Sequence, residues 1–188
     1  MIDKYVALER IWLYSHFLNE QLVACESVVQ DGYGFVGTCM AINLLEHALK
    51  CVVDDYESNF NRVAEEACER GILTDIEYSF VSFDNNSLRK LRNCFAHKNL
   101  SAMYLKFSQD ALLYPMSEDA TYHHFYDKYS GSIINIILKA VSHGQEENLD
   151  NDSELKGNAF KILTYTIPEL LELKGFPSAM PPKVGPRN

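Results

Sequence analysis

Apolar residues recur along this chain mostly at helical spacing. Between residues 3 and 30, Val6, Leu8, Ile11, Trp12, Leu13, Phe17, Leu18, Leu22, Val23 and Val28 mark one broad stripe, with Asp3 placed to cap its start. This pattern predicts a single long helix. It is closed by Asp31-Gly32-Tyr33-Gly34, where two glycines in three residues supply backbone conformations that other residues resist. A second helix is expected over 35–56. Val36, Met40, Ile42, Leu44, Leu45, Leu49, Val52 and Val53 are nearly continuous there, so it should be the most buried helix, interrupted by Glu46, His47 and Lys50. Residues 59–70 predict a shorter helix built on Phe60, Val63, Ala64 and Ala67 and capped by Gly71.

Residues 72–83 fit two patterns. Ile72, Ile76, Phe80 and Phe83 share a helical face, while the Thr, Tyr, Val and Phe content also suits a strand. Asp84-Asn85-Asn86-Ser87 is a turn rich in capping residues, and it introduces a helix that begins near Leu88. Residues 102–115 read as extended or a small hairpin. Residues 117–142 read as a long helix, loosened near Gly131. A polar, acidic loop over 143–152 leads to a last helix over 153–174, which Pro168 should kink or split. The expectation is an all-α fold: an up-and-down helical bundle of about five to six helices, with a small extended segment after the helix at 88. One domain spans 1–174, followed by a Pro/Gly-rich tail over 175–188.

Composition narrows the class. Hydrophobic residues make up 47% of the 188, which is ample for a core. No uninterrupted apolar run approaches the roughly 18 to 20 residues that span a bilayer, so no membrane role is expected. The start, Met1-Ile2-Asp3-Lys4, is not followed by the short apolar core and small-residue cleavage site of a signal peptide. Cys25, Cys39, Cys51, Cys68 and Cys94 are odd in number and lack a Cys-x-x-Cys pair, which predicts reduced thiols and a cytoplasmic location.

Charge then isolates one stretch. The chain carries −9, yet residues 85–109 contain no acidic side chain and hold Arg89, Lys90, Arg92, Lys98 and Lys106. Removing those five positive charges leaves −14 on the remainder. A positive island on an acidic body predicts a localised polyanion site, with Arg89, Lys90 and Lys98 as candidate RNA- or phosphate-binding residues.

The same stretch carries the candidate chemistry. Over 88–98, Leu88, Leu91 and Phe95 share an apolar helical face, while Arg89, Asn93 and His97 recur every four residues on another. Arg92 stands five residues before His97, within reach of it through a long side chain. A guanidinium that holds an anion, an imidazole that can move a proton near neutral pH, and an amide that orients either are sufficient for metal-free phosphodiester chemistry. Glu46, inside an apolar helix, needs a partner, and either Arg89 or Arg92 would serve; Lys50, one turn away, is the local alternative.

Arg92-Asn93-Cys94-Phe95-Ala96-His97 resembles the signature of the HEPN superfamily, in which an Arg, usually followed by a polar residue, precedes a His by a short gap. The resemblance implies a four- to five-helix bundle with the motif on a late helix. It also implies a homodimer in which two motifs meet, and in many members a metal-independent endoribonuclease of toxin, phage-defence or RNA-processing systems. On that basis Arg92, Asn93 and His97 would be catalytic and Glu46 would support Arg92. The product would be a 2′,3′-cyclic phosphate, with no cofactor and no metal. Expected partners are RNA, a second copy of the chain, and a cognate antitoxin or a nucleotidyltransferase encoded alongside. The alternative is a non-catalytic HEPN-like binding or regulatory module with a protein or nucleotide partner, since a bundle does not determine its task.

Other constellations are weaker. His47, Cys51, Cys94 and His97 could hold zinc if two helices faced each other, but cysteines at helical spacing are ordinary core residues. His123 and His124 are adjacent and point to different helical faces, which suits a solvated or rim position. Tyr104, Tyr114, Tyr122, Tyr126 and Tyr129 could stack on bases, although such spacing more often marks a core or an interface. No glycine-rich phosphate loop or serine-type triad is present.

Overall fold

A computed structural model of the chain describes residues 2–83, 85–108, 110–143, 155 and 159–175. These form a mostly helical fold with a small three-stranded antiparallel sheet. The stripe over 3–30, expected as one helix, is two: α1 (Lys4–Tyr14) and α2 (His16–Gln30). The break falls at Ser15, where extended backbone (φ −152°, ψ 102°) lets the hydroxyl accept from the Leu18 N–H at 3.3 Å. A short oxygen-bearing side chain can satisfy an orphan amide of the next helix, and that favours the break over continuation. The Asn19 amide then donates to the Leu8 carbonyl at 2.8 Å and ties the two helices together.

The central helix is α3 (Gly34–Val53), with Ile42, Leu45, Ala48 and Leu49 fully buried. It is long and apolar enough, at mean hydropathy 1.3, to match a membrane span by length and composition, yet most of that stretch lies inside the protein. A Cβ added at Gly37 would sit 2.2 Å from Val29 Cγ2, so only glycine allows α2 and α3 to approach so closely. Next come α4 (Phe60–Glu69) and α5 (Asp75–Tyr78), the latter running into a π-helical turn over Ser79–Phe83. Within the ambiguous 72–83 stretch, residues 75–83 are therefore helical. Thr74 and Glu77 close a reciprocal capping box there, which decides for helix despite the β-favouring composition.

The motif helix α6 (Leu88–His97) starts at Ser87, whose hydroxyl accepts from the Lys90 N–H. After it, β1 (Met103–Phe107) and β2 (Tyr114–Pro115) pair antiparallel, matching the extended segment expected over 102–115. The long helix α7 (Asp119–Val141) runs without a break through Gly131. Its first residue serves α3, because the Asp119 carboxylate accepts from the Gly34 and Phe35 N–H groups at 2.8 Å each. The expected helix over 153–174 is corrected among the described residues: β3 (Phe160–Thr164) pairs antiparallel with β1, and α8 (Ile167–Leu173) is the helix that follows it. Alternation along Phe160-Lys161-Ile162-Leu163-Thr164 suits a strand. Pro168 occupies the first turn of α8, where no amide is needed, and so opens a helix instead of kinking one. The acidic loop over 143–152, beyond His143, and the tail, beyond Gly175, lie outside the described residues.

The core runs between α3, its neighbours α2 and α7, and the inner face of the sheet. Tyr122, Tyr126 and Tyr129 are buried in it, which places them as core residues and not as a base-stacking surface, whereas Tyr104 is buried outside it, on the strand face it shares with Lys106 and against Tyr165. Burial raises the Tyr122, Tyr126 and Tyr129 phenols well above the ordinary range, with the Glu26 carboxylate adding to the effect at Tyr126.

Candidate functional site

The packing of α6 against α3 defines the site. Leu88, Leu91 and Cys94 of α6 are buried, which turns the next faces of the helix outward along α3. The ring of Phe95 seats against Phe35 and Tyr122 at edge-to-face distances of 5.0 and 5.6 Å, fixing the rotation of the helix. A cleft of about 410 Å³ results, lined by Cys39, Asn43, Arg92, Asn93, Phe95, Ala96 and His97. The three residues singled out for chemistry thus share one concavity. His97 lies at the last turn of α6 and is exposed.

Arg92 is held from two sides. Its Nε donates to Asn43 Oδ1 at 3.1 Å, and its Nη2 lies 3.1 Å from Glu46 Oε2. Glu46 is only 8% exposed, and its other oxygen meets Lys50 Nζ at 3.2 Å. Two of the three pairings open to Glu46 in the sequence, with Arg92 and with Lys50, are therefore made at once, because a carboxylate has two oxygens and a buried one needs both engaged. A guanidinium has five N–H donors in a fixed fork, so with Nε and one Nη2 proton engaged, the Nη1 group remains for a ligand. The Arg92 side chain is 41% exposed, which keeps it open to the cleft.

The remaining basic candidates do not line this cleft. Arg89 turns back to the π-helical turn, where its Nε donates to the Ser82 carbonyl at 3.2 Å and to Ser82 Oγ at 3.0 Å. Lys90 and Lys98 are exposed at the two ends of α6. Asn43 and Cys39 were missed by the sequence reading. Their signal was present: Cys39, Asn43, Glu46 and Lys50 are spaced four, three and four apart, a polar stripe down a helix that is otherwise apolar. Burial pushes the Cys39 thiol up to about 11, so it faces the cleft as a neutral group.

The four residues weighed for zinc do not gather. The Cys51 thiol and His47 Nε2 are 3.6 Å apart on the exposed side of α3, whereas Cys94 points into the core. His123 Nε2 pairs with Asp119 Oδ2 at 3.1 Å. His124 is half-buried and stacked on Tyr114, with ring centroids 4.6 Å apart, and its Nε2 is buried with no hydrogen-bond partner among the described residues. No protein-family model matches this chain, and neither does any curated protein or solved structure.

Proposed function

We propose that the chain is a metal-independent endoribonuclease of HEPN type, a cytoplasmic toxin or phage-defence effector that acts as a homodimer on an up-and-down helical bundle. The observation that carries this reading is the single cleft shared by Arg92, Asn93 and His97, in which Arg92 is braced by Glu46 and Asn43. In the proposed reaction His97 takes the proton of a ribose 2′-OH, whose oxygen attacks the adjacent phosphorus. The bond to the 5′-oxygen breaks, that oxygen is protonated, and a 2′,3′-cyclic phosphate remains. Arg92 holds the phosphate and stabilises the charge that builds on it. Asn93 orients His97 or the phosphate. Two-fold pairing places a second His97 nearby, so that one imidazole acts as base and the other as acid.

A second reading draws on the pairing of Arg92 with Glu46, which neutralises part of the charge a phosphate would otherwise meet. On that reading the cleft is a non-catalytic binding module for a protein or nucleotide, and the antitoxin or neighbouring nucleotidyltransferase is its partner. Expression in bacteria separates the two. Growth arrest that is lost in Arg92→Ala and His97→Ala, together with RNA cleavage in EDTA leaving cyclic phosphate ends, supports the nuclease. Equal toxicity of wild type and both variants rules it out.

A further inference from the structure

The register of the sheet places two lysines opposite each other. Lys106 of β1 and Lys161 of β3 are direct cross-strand partners, and both are exposed. Like charges in that relation destabilise a strand pair. Six other cations, Lys4, Lys50, Arg62, Arg70, Arg92 and Lys139, reach carboxylates within 4.0 Å. Lys106 and Lys161 make no ion pair among the described residues, although the chain has 26 acidic side chains. Asp110, the acidic residue nearest to Lys106 in sequence, accepts the Tyr114 hydroxyl instead.

The pair also flanks the motif helix. The Ile162 N–H donates to Asn86 Oδ1 at 3.0 Å, just before α6 begins, and the Tyr165 N–H donates to the Ala102 carbonyl at 2.8 Å, just after α6 ends. Strand β3 is therefore tied to the chain on either side of α6. Residues 159–166 contain no acidic side chain, so Lys161 joins the acid-free island of 85–109 from a distant part of the chain. On the same outward side of the sheet, Leu163 lies opposite Tyr104, and Tyr165 stands edge-on to Tyr104 and half-buried. Two adjacent cations beside a half-buried aromatic match a phosphodiester chain with unstacked bases.

We infer that Lys106 and Lys161 form a phosphate-holding pair that anchors single-stranded RNA on the sheet while the cleft between α3 and α6 engages a distant phosphate. The inference rests on the ribonuclease reading for its ligand. Each phosphate contact on a single strand contributes about 0.7 to the slope of log affinity against log salt. Losing both contacts should lower that slope by about 1.4, and should weaken binding roughly 25-fold at about 0.1 M salt.

The test is anisotropy of a labelled 2′-O-methyl oligonucleotide of about twelve residues, which binds but lacks the attacking hydroxyl. Wild-type full-length protein is compared with Lys106→Ala/Lys161→Ala and with Lys161→Glu. The double variant should show the reduced slope and affinity. Lys161→Glu should bind RNA at least as weakly while melting at a higher temperature, because it sets opposite charges across the strands; a merely structural role for Lys161 would not separate these two outcomes. A wild type that cleaves RNA while the double variant keeps its affinity and slope overturns the sheet site and leaves the nuclease reading intact. A wild type that binds RNA through these lysines without cutting it overturns the nuclease and keeps the sheet site. No RNA binding by wild type overturns both.

Discussion

The bracing of Arg92 makes a demand on Glu46 that separates function from stability. Glu46→Gln keeps the shape and one acceptor oxygen but removes the charge facing Arg92 and Lys50 at 3.1 and 3.2 Å. At an effective dielectric near 20, a charge pair at that distance gains about 5 kcal/mol before desolvation is counted. Arg92 is 41% exposed, however, so water screens much of that gain and takes over when the carboxylate is gone. Neutralising a nearly buried carboxylate also relieves its own desolvation, and the net loss of stability should be about 1 kcal/mol. For a chain of this size that is roughly 2–4 °C in melting temperature.

Cleavage should suffer far more. With a single neutral amide oxygen in place of the carboxylate, Arg92 keeps its Asn43 contact but loses the charged brace and can swing by about 1 Å, a displacement that costs on the order of 100-fold in rate when it misplaces a charge-stabilising group. Arg92→Lys should give a similar loss, because an ammonium cannot bridge Asn43 and Glu46 with a planar fork. The double variant Glu46→Gln/Arg92→Lys should be no slower than Arg92→Lys alone, since both changes break one unit. Single-turnover cleavage of a short labelled RNA, run beside thermal melts, measures all three variants. Full cleavage by Glu46→Gln, or losses that multiply in the double variant, would refute the bracing role.

Three further outcomes follow from the interior. Burial holds the Cys39 thiol near 11 against an ordinary 9.0, so at about pH 8 it should alkylate roughly 100-fold more slowly than an unperturbed thiol and accelerate tenfold per pH unit up to about 11; peptide mapping after iodoacetamide treatment reads this, and rapid labelling of Cys39 at pH 8 contradicts it. Glu77 is fully buried 2.6 Å from Lys139 Nζ, so Glu77→Ala should cost about 3–5 kcal/mol by stranding a cation, whereas an apolar replacement of both partners should cost much less; chemical denaturation decides between them. The phenols of Tyr122, Tyr126 and Tyr129 are raised in the folded state, so below pH 10 all three are neutral in both states and contribute no pH dependence. Above pH 10 the unfolded chain sheds these protons first, and stability should fall by about 4 kcal/mol per pH unit for the three together; a denaturation midpoint that is unchanged between about pH 9 and 11 contradicts this.

What the sequence made legible was local, and what it concealed depended on partners distant along the chain. The stretch 88–97 could be read because its capping serine, its apolar face and its charge all lie within a dozen residues. The break at Ser15 was hidden inside a continuous apolar stripe, since hydrophobic periodicity persists across two helices that share one core and only the cap distinguishes them. The strand over 160–164 escapes a local reading because its pairing partner, β1, lies more than fifty residues earlier, and a five-residue stretch with three apolar side chains is equally at home in either element until that partner is known. The same logic applies at the site. His97, Asn93 and Arg92 announced themselves by spacing, but whether Glu46 would answer Arg89, Arg92 or Lys50 depended on how α6 is rotated against α3. That rotation is set by Phe95 between Phe35 and Tyr122, three aromatic rings from three different helices. The chemistry was therefore visible as a set of groups, while their orientation belongs to the core. Thinning the core at Phe95 should for that reason disturb the cleft as surely as a change to Arg92 itself.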